Sequence, residues 1–201
     1  MKKFYLEIVV FVSGAVVMAY EIIGSRMLGP YVGTSISVWS AIIGVILMSL
    51  SLGYYLGGRL ADKKPQYTLL GKIIILAAIF IILSTAIKDI LLSNLLIIIN
   101  NVNVVSLIAS MLLFSIPGFL LGMVSPFAAR LKINSLKTTG ATVGNLYAIS
   151  TVGSITGTFM AGFYLIPSFA VSHILYILSA SLIVFATGLF FLYKSQELKT
   201  N

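Results

Sequence analysis

Long apolar runs separated by short polar turns make up almost the whole chain. Their spacing predicts six helices, over about 4–28, 37–60, 67–87, 104–124, 142–166 and 171–193. The expected stops are Gly29-Pro30 for the first, Pro65 and Lys88-Asp89 around the third, Pro126 for the fourth and Pro167 for the fifth. Pro117-Gly118 predicts a kink inside the fourth, which a membrane tolerates where neighbouring helices satisfy the freed backbone. Each run is close to the roughly 20 residues needed to cross a bilayer. The pattern therefore predicts an all-α polytopic membrane protein, a six-helix bundle forming one transmembrane domain over 1–201. The stretch 90–99 is apolar but too short to span. It is read as an interfacial turn, with an extension of the third or fourth helix as the alternatives, before the loop Asn100-Asn101-Val102-Asn103.

Composition agrees with the pattern. Of 201 residues 59% are hydrophobic and 9% charged, with a mean hydropathy of +1.10, where a soluble domain has roughly 25% charged residues. The net charge of +8 sits in the turns, as topology signals do, and does not indicate nucleic-acid binding. Lys2, Lys3, Arg59, Lys63, Lys64, Arg130, Lys132, Lys137, Lys194 and Lys199 collect on one side, with Lys72 near it, against Arg26 and Lys88 on the other. Both termini are accordingly expected in the cytoplasm, in a multi-pass protein of the cell membrane. Lys2, Lys3 and Val17-Met18-Ala19 mimic a signal peptide, but Glu7 interrupts the run and the run continues past Ala19, so an uncleaved first helix is expected. Cysteine is absent, which excludes disulfides and thiolate metal sites. There is no Gly-rich nucleotide loop after a strand, no Walker motif and no H-E-x-x-H, so no cofactor is indicated. The single histidine, His173, has no clustered partners and makes a poor metal site.

A few polar residues inside or beside the apolar runs are candidates for chemistry. Glu21 lies about 25 Å along the first helix, where a carboxylate faces a bundle interior or a wet cavity. It reads either as a group that holds a cation or relays a proton, or as an interhelical lock to Arg or Tyr. Arg26 is five residues on, a poor intrahelical partner, and its plainer role is snorkelling at the outer interface. Tyr147, Thr151, Ser154 and Thr158 form one polar stripe, which serves as helix–helix glue or lines a pathway. Arg59 and Asp62, three apart, permit a local ion pair in a cytoplasmic turn, with Asp62 also able to accept from a neighbouring helix N-terminus. Tyr31 and Trp39 suit an outer aromatic belt. Five Gly-x-x-x-Gly spacings, Gly29/Gly33, Gly53/Gly57, Gly118/Gly122, Gly140/Gly144 and Gly153/Gly157, predict close backbone packing where they fall inside helices. An echo between Gly53-Tyr54-Tyr55-Leu56 and Gly162-Phe163-Tyr164-Leu165 hints at two three-helix repeats.

Tyr20-Glu21, Gly24-Ser25-Arg26-Met27-Leu28, Pro30-Tyr31-Val32-Gly33-Thr34-Ser35, Val38-Trp39 and the run from Ser51 to Asp62 resemble the membrane domain of membrane-bound spermidine synthase-like proteins. The run from Gly140 to Ile149, with Gly153 and Ala161-Gly162-Phe163, resembles it too, and the turn Gly58 to Lys64 is similar to a major-facilitator signature. The resemblance implies a bundle like half of a major-facilitator transporter. It also implies a soluble aminopropyltransferase half, whose Gly-rich loop and acidic residues have no counterpart here, so catalysis in this chain is not expected. Two functions remain open. One is a membrane module that holds a separate cytoplasmic aminopropyltransferase-like partner near Asn201, where the fused enzyme would begin. The other is a small transporter of a polyamine-related or other small solute. A homodimer would supply the missing second half of a transporter. Of the five acids only Glu21 lies well inside the membrane, which weakens transport of a polycation and leaves a monovalent or zwitterionic solute open.

Overall fold

The computed structural model describes residues 2–133 and 139–197. Lys137, Lys199 and Asn201, invoked above for topology and partner docking, lie outside the described residues. The described chain is helical, with α1 Lys2–Val32, α2 Ile36–Lys63, α3 Tyr67–Ile98, α4 Val102–Gly122, α5 Val124–Lys132, α6 Thr139–Phe159, a wide π-type turn Met160–Leu165, α7 Ile166–Ser168 and α8 Val171–Glu197. Six helical stretches are long and apolar enough to cross a membrane: α1, α2, α3, α4 with α5, α6 with α7, and α8. The chain therefore reads as a multi-pass membrane protein.

Helix ends depart from the sequence reading where proline falls in a tolerant place. Pro30 lies in the last turn of α1, and the helix ends two residues later at Val32. Gly33, at a φ of 77°, is the terminator there, its N–H bonding the Gly29 carbonyl. Pro126 does not end the fourth span but begins its second piece. It has no N–H for the Gly122 carbonyl, so the helix breaks at Met123 and restarts with the proline in the first turn of α5. Pro167 is likewise preceded by a widened turn, in which Ile166 N–H reaches the Ala161 carbonyl five residues back. The stretch 90–99 is no interfacial turn. α3 continues through it to Ile98, since nothing between Lys72 and Ile99 is Gly or Pro and Asn94 donates to the Ile90 carbonyl. At roughly 48 Å, α3 exceeds the roughly 30 Å apolar core of a bilayer. Where it passes α1, Asp89 accepts from the Tyr31 hydroxyl at 2.7 Å and from Lys88.

The spans pair in a symmetric way. The first packs most extensively on the fifth, the second on the fourth and the third on the sixth. Exchanging the first three spans with the last three leaves this set of pairings unchanged, as expected of two three-helix repeats. The echoed tetrapeptides are not the equivalent positions, however. Gly53 is buried against α4, whereas a side chain at Gly162 would meet open space. The equivalent features are two glycine seams. On the first, a Cβ at Gly53 would lie 2.2 Å from the Phe119 carbonyl oxygen, and one at Gly122 2.7 Å from that of Leu50. On the second, a Cβ at Gly153 or Gly157 would lie 2.1 Å from the Phe11 or Ala15 carbonyl oxygen. Backbones this close exclude any side chain, which is how helices gain contact where lipid offers no hydrophobic drive. Gly140 and Gly144 face open space and make no seam.

One backbone group ties three of the spans together. Pro117 has no N–H to give the Leu113 carbonyl, which lies buried in α4. Tyr20 of α1 donates its hydroxyl to that oxygen at 3.0 Å, and Ser84 of α3 donates at 2.8 Å. Tyr20 also meets Phe114 edge-on, with ring centroids 5.1 Å apart. Each of Tyr20→Phe and Ser84→Ala should cost about 1 kcal/mol. The double variant should lose more than the sum, because the carbonyl is then orphaned. Pro117→Ala should stabilise that double variant more than it stabilises the parent, since the new amide reclaims the carbonyl. Equilibrium unfolding in mixed micelles reads all five variants, and a Pro117→Ala effect equal in both backgrounds would contradict the arrangement.

Candidate functional site

The two glycine seams converge at mid-depth of the bundle, and a cavity of about 40 Å³ lies between them. Ser13, Gly14 and Val17 of α1 and Ser150 and Ser154 of α6 supply one side. Leu50 and Tyr54 of α2, Leu121 of α4 and Ser125 of α5 supply the other. Ser13 is about nine residues from Phe4, roughly 14 Å along the helix, and Ser125 is roughly 10 Å from Lys132, so the cavity sits about halfway through an apolar core of roughly 30 Å. The local chemistry follows from small residues. Gly14 lets the α6 backbone approach until a Cβ there would lie 2.4 Å from the Ser150 carbonyl oxygen. Small side chains suit such a crossing, and here Ser13, Ser150 and Ser154 take those places. Ser154 donates to the Gly14 carbonyl at 3.2 Å, and the Ser125 and Ser150 hydroxyls face each other at 3.5 Å. Ser13 is buried, 4% exposed, and among the described residues its hydroxyl has no hydrogen-bond partner.

α2 and α6, which wall the cavity from two sides, share no extensive contact, and the gap between them is the cleft beside it. Tyr54, Tyr147 and Thr151 are exposed along it, with Tyr147 within electrostatic reach of Tyr54. The predicted stripe on α6 divides its work. Ser154 lines the cavity and bonds α1, while Thr151 and Thr158 return their protons to the Tyr147 and Ser154 carbonyls at 2.9 Å.

Glu21 stands two turns beyond Gly14 and one beyond Val17, so it shares the face that lines the cavity. It is half-buried, and among the described residues it has no hydrogen-bond or ion-pair partner, so the expected lock to another helix is not made. Arg26 is exposed, roughly 140° round α1 from Glu21, and takes no part in the cleft. The acid that does lock helices is Glu7, buried near the basic end and paired with Lys132 of α5.

Arg59 and Asp62 do not pair with each other. Asp62 accepts from Arg130 Nε at 2.9 Å, tying α2 to α5, while Arg59 lies 4.2 Å from the centre of the Tyr55 ring. Sequence reading missed Ser13, Tyr54, Ser125 and Ser150, since an isolated serine in an apolar helix carries no periodic signal. The abutting Gly14 is the one hint that a second helix comes close there. Among the described residues, no group of three His, Cys, Asp or Glu side chains could hold a metal ion. No protein-family model, curated protein or solved structure matches this chain.

The Asp62–Arg130 pair is exposed, so its worth is small, about 0.5 kcal/mol. A double-mutant cycle with Asp62→Asn and Arg130→Gln should show that coupling in low salt. The cycle with Asp62→Asn and Arg59→Gln should show none, and the reverse result would restore the local pair.

Proposed function

We propose that this chain is a small membrane transporter module whose cleft between α2 and α6 handles a small polar or monovalent cationic solute. The observation that carries the reading is the hydroxyl-lined cavity at mid-depth, between the two glycine seams, with Glu21 one turn outward on the same face. Solute sites of repeat-built transporters lie near the midplane at the repeat interface. A single carboxylate beside the cavity suits a monovalent group held in the cleft, and does not suit an extended polyamine. The open side of the cleft gives a second copy a place to serve as the facing half, which is the ground for a homodimer. The exposed turn with Arg59, Lys63 and Lys64, held beside α5 by Asp62 and Arg130, favours a second reading. In it, this basic end faces the cytoplasm and docks an acidic partner such as an aminopropyltransferase-like protein.

In proteoliposomes, the purified chain should admit radiolabelled methylammonium in preference to spermidine, and Glu21→Gln should reduce entry to the level of protein-free vesicles. No entry of either amine, together with co-purification of a soluble aminopropyltransferase-like protein, would replace transport with the docking role. In whole cells, a cysteine at Asn101 should react with an impermeant maleimide and one at Lys64 should not. The opposite pattern would invert the proposed orientation.

A further inference from the structure

The serine cavity is built unlike the other buried hydroxyl positions of the bundle. Ser49, Ser106 and Ser179 each donate to the carbonyl four residues back, the ordinary way a helix serine hides its polarity. Ser13 does not: its hydroxyl is buried, unpartnered and part of the cavity wall. Ser110, also without a partner, is not part of that wall. An unpaired polar group at this depth is costly, and Ser13, unlike Ser110, borders a space in which a ligand would supply the missing partner.

The donor set indicates what that is. Among the described residues on the wall every polar side-chain atom is oxygen, the choice of a hard cation. Ser154 has spent its proton on the Gly14 carbonyl and presents lone pairs to the cavity. Among the described residues no cationic side chain lines the wall, and Glu21 one turn outward favours positive charge over negative. Among the same residues no carboxylate is in the wall itself, which disfavours a divalent ion, since calcium and magnesium sites draw on carboxylates. The volume of about 40 Å³ admits a small ion that keeps a water or two, each needing roughly 10–15 Å³.

We propose that the cavity walled by Ser13, Ser125, Ser150 and Ser154 is a binding site for a sodium ion. As a coupling ion it rests on the transport reading above; as a binding site it stands on the cavity alone. The ion takes lone pairs from the serine hydroxyls, with Glu21 balancing its charge from outside the cavity.

The test uses the full chain in lipid nanodiscs and radioactive sodium, with choline as the replacement cation. Saturable sodium binding is expected, displaced by unlabelled sodium far better than by potassium. Ser13→Ala and, separately, Ser125→Ala should each weaken it by about tenfold or more, as loss of a bond to a charged group does. Thr156→Val, on the opposite flank of α6, should leave it unchanged. Both serine variants remove a hydroxyl without adding bulk, and thermal unfolding confirms that each is folded. Absence of saturable sodium binding by the folded chain, or binding indifferent to both serine variants, overturns the site. The uptake assay separates the two ideas. Sodium binding without amine entry leaves the site standing and removes the transport reading, whereas amine entry without sodium binding removes the site alone.

Discussion

The carbonyl of Leu113 is the group on which the bundle's arrangement depends. A backbone oxygen in a membrane has no water to fall back on, and Pro117 deprives this one of its helical partner. Two neighbouring helices answer, Tyr20 from α1 and Ser84 from α3. That fixes more than a hydrogen bond. With Tyr20 pinned inward against α4, the rotation of α1 about its own axis is set, and its next residue, Glu21, is turned onto the face that Gly14 and Val17 present to the cavity. The proline that interrupts α4 thus determines where the acid inside the first span points.

The glycine seams complete the constraint. Where Gly53 and Gly122 meet, and again where Gly153 and Gly157 meet α1, backbones approach too closely for any side chain. Two such seams, one between the first and fifth spans and one between the second and fourth, leave a narrow space between them whose tightest border, where α1 crosses α6, calls for small side chains. Serine fills that requirement and brings hydroxyls with it, so the polarity of the cavity follows from the tightness of the packing around it. Nearer the basic end, Glu7 with Lys132 and Asp62 with Arg130 tie α5 to α1 and α2.

Much of this was legible in the sequence because it is written in composition and period. Spans, their number and the glycine spacings follow from runs of apolar residues and fixed intervals. The departures involve either the exact place of a residue within its own helix or a relation between distant segments. Pro30, Pro126 and Pro167 look alike as helix breakers, yet each lies in or beside a turn that tolerates it. The stretch 90–99 looks too short to span only if it is taken alone, whereas it is the far end of α3. Asp62 has a partner at three residues in the sequence and a different one in space. Glu21 stood out as a lone acid, and the structure adds that it shares a face with the cavity. Ser13 gave no sign, because an unpaired hydroxyl is visible only once the neighbouring helices are in place.

The central claim is that the face between α2 and α6 is a polar cleft leading to the cavity, rather than a lipid-covered flank. The chain has no cysteine, so single cysteines report without background. Introduced in nanodiscs at Tyr54, Thr151 and Ser154, and at Ala148, Val152 and Ile155 on the outer flank of α6, they can be tested with a charged methanethiosulfonate reagent that reacts only from water. Modification is expected at the first three positions and protection at the others. Protection at all six, or modification without regard to helix face, would contradict it.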